Sequence, residues 1–152
     1  MSGATIVNRM ATTAKHPCPI CRIGRPSDLI GDLPSVWVTA PALAPLPGYA
    51  CVVAKRHVVE PFQLPPAEMA AFWSECMSVA RVLHDLLHPL KMNYEIHGNS
   101  IPHLHLHLYP RFRGDPYEGR AIDGRSTSFE RSPKDLERIR GVIEPLSGLK
   151  PD

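Results

Sequence analysis

The chain has 152 residues, of which 43% are apolar and 21% charged. That size and balance specify one globular domain with a real core and exclude a disordered chain. A net charge of +2, with no basic block of five residues, gives nucleic-acid binding no electrostatic support. The apolar runs are too short to span a bilayer.

Residues 1–14 read as a flexible leader with no long apolar stretch of the secretory kind, so a cytoplasmic, reducing compartment is expected. Prolines cluster over residues 17–66 and imply a loop-rich first half. Cys18 and Cys21 form the run CPIC, and in a reducing compartment such a pair points to a metal rather than a disulfide. A redox pair would sit at a helix start inside a βαβ pattern, which is missing here. Cys51 and Cys76 fall inside apolar patterns and read as buried thiols.

Residues 35–40, SVWVTA, are β-branched and aromatic and predict a strand. Residues 41–48 predict a turn-rich loop. Residues 49–55, YACVVAK, predict a strand apolar enough to be buried on both faces. After the loop 59–66 comes the long helix signal, 67–87. There Met69, Phe72, Trp73, Cys76, Val79, Ala80, Leu83 and Leu87 keep three-and-four spacing. Pro65 and Pro66 suit its start and Pro89 its stop. His84 and His88 lie four apart near its end, where positive charge is favoured, and read as caps rather than ligands.

Residues 92–98 alternate and predict a strand, 99–102 a turn or bulge, and 103–110 a second strand of period two. His97 reads as a structural residue at a strand end. Residues 114–130 predict a loop. Ser132 as N-cap, Pro133 in the first turn and Asp135 beside it predict a last helix, ending near Leu146. The order β-β-α-β-β-α, with neighbouring strands free to pair antiparallel, predicts an α+β fold.

The segment IPHLHLHLYPR, residues 101–111, carries the chemistry. Period two sends Leu104, Leu106 and Leu108 to the core and His103, His105 and His107 to the opposite face. A merely solvated face would take Thr, Lys or Glu. One metal held by all three conflicts with geometry. Same-face neighbours on a regular strand are about 7 Å apart and the outer pair about 13 Å, against Zn–N bonds of roughly 2 Å. Imidazole as nucleophile fits better: with a pKa of about 6.5 it is neutral near pH 7. It needs one ring nitrogen bare and the other donating to an acceptor such as a backbone carbonyl. His105, with a partner on each side, is best placed.

The run HLHLHLY followed by PR resembles the signature of the histidine triad (HIT) family, His-φ-His-φ-His-φ-φ with φ apolar. The resemblance extends upstream through NYEIHGNSIP. It also covers PLPGYACVVAKRHVVEPFQL, which is similar to the family's Pro-Gly-His turn and Pro-Lys-x-His segment. With CPIC it spans roughly residues 15–113, leaving 114–152 as a C-terminal loop and helix on the same domain.

The resemblance implies a five-stranded antiparallel sheet with one long helix and a C-terminal helix, and a homodimer. It implies a nucleotide phosphohydrolase, with a purine nucleotide conjugate as the default substrate. His105 would attack the α-phosphate, a nucleotidyl-histidine would form, and water would release the nucleoside monophosphate. His107 would contact phosphate oxygens or the leaving group. Asn99 and Ser100 match the family's Gln-Ser phosphate contacts, Asn93 is a further substrate-binding candidate, and the strand 35–40 would shape a base pocket. In branches with the cysteine pair, Cys18, Cys21, His57 and His103 would bind a structural zinc, with His16 as a competing ligand. The chain departs from the family at Tyr49, where relatives carry His, and at Asn99, where they carry Gln. The rival readings are nucleotidyl transfer to phosphate, a nucleotide-binding regulatory module with little turnover, and a three-histidine metalloenzyme.

Overall fold

The computed structural model describes residues 17–125 and 129–148. The leader and His16 therefore lie outside the described residues. In chain order the elements are α1 (Pro19–Ile23), β1 (Leu29–Asp32), β2 (Val36–Thr39), β3 (Leu43–Ala44) and β4 (Ala50–Ala54). Then come α2 (Pro66–Leu87), β5 (Lys91–Ile96), β6 (His105–Arg111), β7 (Phe129–Glu130) and α3 (Pro133–Ser147). Five strands form one antiparallel sheet in the order β1-β2-β4-β6-β5, and β3 pairs with β7 apart from it. The α+β class, the five-stranded sheet and both main helices match the expectation from sequence.

The sheet has two differently covered faces. Val36, Val38, Val52, Leu104, Leu106 and Leu108 point to one face and pack against Phe72, Cys76, Val79 and Leu83 of α2 and Ile139 and Ile143 of α3. This is the main core, and the three leucines of the histidine segment belong to it, as period two requires. The other face carries a smaller cluster of Cys18, Ile20, Leu46, Tyr49, Cys51, Val53, Tyr109, Tyr117 and Ile122. β4 sits between both layers, and all five of its residues are buried. Cys51 and Cys76 are buried thiols, and burial pushes the Cys51 thiol up to about 12.

α2 begins on Pro66 at its first position and stops where His88 turns left-handed, at φ 50°, ahead of Pro89. The His88 N–H caps the His84 carbonyl, so His88 caps through its main chain; the His84 ring instead lies beside Asp85. α3 begins on Ser132, whose Oγ accepts from the Asp135 N–H at 3.1 Å.

Strand β1 escaped the sequence reading. It is four residues long, Leu-Ile-Gly-Asp, and carries a bulge between Leu29 and Gly31. Gly31 is needed there because α3 crosses the strand closely: an added Cβ would lie 2.4 Å from Ile143 Cγ2. Gly31→Ala is expected to cost about 1–3 kcal/mol by overpacking. Thermal unfolding should register that as a melting point lower by about 3–10 °C.

Arg111 organises the segment after β6. Its guanidinium donates to both carboxylate oxygens of Asp115, to Asn93 Oδ1 at 2.7 Å and to the carbonyls of Tyr117 and Arg120. The Arg111 hydrogen bonds hold the Asp115 carboxyl down at about 2, against partial burial, with the amides of Tyr117 and Phe112 helping. A depressed folded pKa stabilises above the unfolded pKa of about 4 and is lost as pH falls toward 2. Asp115→Asn should therefore lower stability by about 1–2 kcal/mol at neutral pH. The gap to wild type should close between about pH 4 and pH 2 in denaturant titrations.

Candidate functional site

Strand β6 starts at His105, not at His103 as the alternation suggested. The His103 N–H bonds back to the Ile101 carbonyl at 2.8 Å, a tight turn that takes His103 off the strand. Leu104 anchors this departure by accepting from Ala54 N–H and donating to the Val58 carbonyl. The main chain at 104 thus grips both flanks of the loop that carries His57.

The turn sends the buried His103 ring to a cluster with Cys18, Cys21 and His57, whose ligand atoms all lie within 4.8 Å of one another. His103 Nδ1 is 3.4 Å from Cys18 Sγ, 3.6 Å from Cys21 Sγ and 3.2 Å from His57 Nδ1. Cys21 Sγ is 3.2 Å from His57 Nδ1. A tetrahedral zinc with Zn–S of about 2.3 Å and Zn–N of about 2.0–2.1 Å spaces its ligand atoms about 3.3–3.8 Å apart, so the donor set fits that ion. The tautomer fits as well. His103 Nε2 lies 2.7 Å from the Ala54 carbonyl, which can only accept, so Nδ1 is bare and faces the cluster. Burial and the neighbouring Cys18 thiol push the Cys21 thiol up to about 11, which is the state a bound cation reverses by favouring thiolates.

His105 and His107 stay out of that cluster and project from β6 onto the second face, with ring centres 4.8 Å apart. His105 Nδ1 lies 2.6 Å from the His103 carbonyl. A carbonyl only accepts, so Nδ1 carries the proton and Nε2 is bare. His103 therefore serves two sites at once, its ring in the cysteine cluster and its carbonyl on His105.

His107 is held differently. Its Nδ1 is 2.8 Å from the Tyr49 hydroxyl. Burial raises the Tyr49 pKa well above the usual phenol range, so the hydroxyl stays protonated beside Nδ1. Burial first, then the charges of His105 and His97, push the His107 imidazole down to about 4, so it is neutral at pH 7. The Tyr49 departure thus bears on His107, while the orientation of His105 comes from its own neighbour's carbonyl.

Tyr49 is itself placed by two contacts. Gly48 takes φ 79°, and an added Cβ there would lie 2.2 Å from Leu87 Cδ1. Arg131, 6% exposed, donates to the carbonyls of Tyr49 and Pro41 and so fastens the chain after β7 to the Pro-Gly turn.

Two cavities meet at the histidine pair. One, of about 280 Å³, is mostly apolar and is lined by Pro19, Ile20 and Ile23 of α1, by Arg25–Asp28, and by Thr39, Pro41, Val53 and Ile101. The other, of about 520 Å³, is more polar and is lined by His97, Asn99, Ser100, Tyr49, Tyr109 and the segment Ile122–Arg125. Asn99 and Ser100 thus stand beside His105 and His107. Asn93 does not; its oxygen accepts from Arg111 in a separate cavity beyond β5. The strand 35–40 adds Thr39 to the apolar cavity, and α1 supplies Pro19, Ile20 and Ile23. Sequence reasoning missed this role of α1 and that of Asp123 and Arg125. The available signal was Ile23, a large apolar residue just after the cysteine pair, which is 71% exposed.

Comparison with known proteins agrees with this geometry. The sequence model of the HIT domain matches residues 24–114, more than half of the chain. "Protein hit" of Bacillus subtilis is 26% identical over 140 residues, covering 83% of this chain and 91% of its own. A crystal structure of a histidine triad protein from Bradyrhizobium japonicum is 28% identical with a TM-score of 0.68, covering 76% of this chain and 89% of its own. A Zn-bound histidine triad family protein from Mycobacterium smegmatis shares the fold at 23% identity, with a TM-score of 0.61 and coverage of 84% and 93%. Among the described residues no helix is long and apolar enough to cross a membrane. Three histidines in alternation with core leucines and the match over residues 24–114 lead to one assignment: the chain belongs to the histidine triad family, whose members act on nucleotides.

Proposed function

We propose that the protein hydrolyses a purine nucleotide conjugate at its α-phosphate through a nucleotidyl intermediate on His105. The observation that carries this reading is the 2.6 Å hydrogen bond from His105 Nδ1 to the His103 carbonyl, which leaves Nε2 bare. The nucleoside occupies the apolar cavity, where α1 and Val53 offer a base flat apolar contact. The leaving group occupies the polar cavity. In the first half-reaction Nε2 of His105 attacks phosphorus and the bond to the leaving group breaks. In the second, water attacks phosphorus and His105 leaves, releasing the nucleoside monophosphate. His107 Nε2–H and the Ser100 and Asn99 side chains donate to phosphate oxygens as charge builds there.

Cys18, Cys21, His57 and His103 would hold a zinc ion whose part is structural, tying the segment before α1 to the turn at His103. Strand β5 is an edge of the five-stranded sheet, with Tyr94 exposed on it. Two copies would pair there in a homodimer, and light scattering should give twice 16.9 kDa.

The test is a substrate panel: an AMP phosphoramidate, AMP-lysine, and diadenosine tri- and tetraphosphate. AMP released from at least one member supports the reading. Stoichiometric AMP binding with no turnover of any member would replace it with a nucleotide-binding module.

A further inference from the structure

His97 is a fourth histidine beside the triad face. It follows the end of β5, and Gly98 after it takes φ 94°, which turns Asn99 and Ser100 into the same polar cavity. Its ring centre lies 5.6 Å from that of His107. Its Nε2 is 2.8 Å from Glu95 Oε2, which leaves Nδ1 as the nitrogen available to a cavity ligand.

A partly exposed contact between a strand-end glutamate and a histidine two residues on adds little to stability, so folding alone gives this pair no purpose. The cavity does. His107 is half-buried and neutral, and the bare nitrogen of His105 is taken up by the attack, so neither is a proton donor to the departing atom. His97 is half exposed, at 52%, and Glu95 much less so, at 22%. Solvent can therefore reload the imidazole.

The other ionisable groups on this cavity are Tyr49, the β6 residues His105, His107 and Tyr109, and Asp123 and Arg125 of the preceding loop. Asp123 accepts from the Arg125 main-chain N–H. Glu95, the carboxylate hydrogen-bonded to His97, also has Arg111 within electrostatic range.

We infer that His97, carried by Glu95, is the general acid that protonates the leaving group. This rests on the reading of His105 as the nucleophile. The Nε2–P bond forms and the bond from phosphorus to the leaving nitrogen or oxygen breaks. The electron pair goes to that atom, and His97 gives it a proton. In the second half-reaction neutral His97 takes a proton from the attacking water, the P–Nε2 bond breaks, and its pair returns to His105.

The experiment compares His97→Gln and Glu95→Gln with wild type on two AMP derivatives, an alkyl phosphoramidate and a p-nitrophenyl ester. The ester's leaving group needs no proton. His97→Gln should lower kcat/KM on the phosphoramidate by about 10²-fold and change it on the ester by less than about threefold. Wild-type kcat/KM on the phosphoramidate should fall on the alkaline side. That limb should vanish in His97→Gln and be altered in Glu95→Gln, which removes the carboxylate 2.8 Å from Nε2. An equal loss on both derivatives, or an alkaline limb indifferent to both substitutions, would overturn the assignment while ester cleavage kept His105 as nucleophile. If wild type cleaves neither derivative, the nucleophile reading fails and this inference with it.

Discussion

His105→Ala is expected to abolish AMP release, by at least about 10³-fold, while leaving the fold intact. The residue is half-buried at the start of β6, its ring facing the cavities rather than the main core. Its truncation removes one hydrogen bond, to the His103 carbonyl, and no part of the Leu104–Leu106–Leu108 packing. Melting temperature should therefore move by only a few degrees. Neither triad neighbour is placed to stand in for the lost nitrogen. His107 has its Nδ1 on the Tyr49 hydroxyl, and the His103 ring is turned into the cysteine cluster. Quenched single-turnover reactions with labelled AMP conjugate would show label on wild-type protein and none on the variant. Equal activity of the two would mean that His105 is not the nucleophile.

Cys21→Ser is expected to reduce bound zinc from about one ion per chain to near zero at equilibrium, and to cost about 3 kcal/mol or more of stability, or about 10 °C in melting point. Cys18 is fully buried and His103 nearly so, so loss of the ion leaves several polar ligand atoms facing one another without a shared partner. The effect should reach the chemistry indirectly. The ring of His103 belongs to the cluster and its carbonyl fixes the tautomer of His105, so a mobile residue 103 loosens the nucleophile. Zinc analysis, proton release on metal binding and thermal unfolding give readouts independent of turnover. A three-histidine metalloenzyme would instead lose activity on chelation with its fold and stability unchanged. That arrangement conflicts with the present geometry, because His105 and His107 lie outside the cluster of ligand atoms.

Much of this was legible in residues 101–111. Alternation of His and Leu gave two faces, and both faces are as read: the leucines lie in the main core, and His105 and His107 on the opposite side. The long helix was legible because its apolar residues recur at helical spacing between prolines. β1 was not, since a four-residue strand with a glycine at its bulge has neither length nor clean alternation. β3 and β7 were assigned to loops, because two-residue strands exist only through their mutual pairing. His97 read as a structural strand end, and its place in the polar cavity depends on the turn at Gly98 and on the segment Ile122–Arg125, far away in sequence.

The sequence by itself determined the fold class and the core face of each main element, and it singled out His105 as the candidate nucleophile. Those follow from local periodicity and from the chemistry of side chains within a few residues of one another. The tertiary structure decided which partner each histidine takes. The turn at 101–103, Leu104 bonded to both Ala54 and Val58, and Tyr49 held by Gly48 and Arg131 bring together groups as many as 85 residues apart. Such hydrogen bonds depend on a few tenths of an ångström between distant segments, and no spacing along the chain encodes that distance.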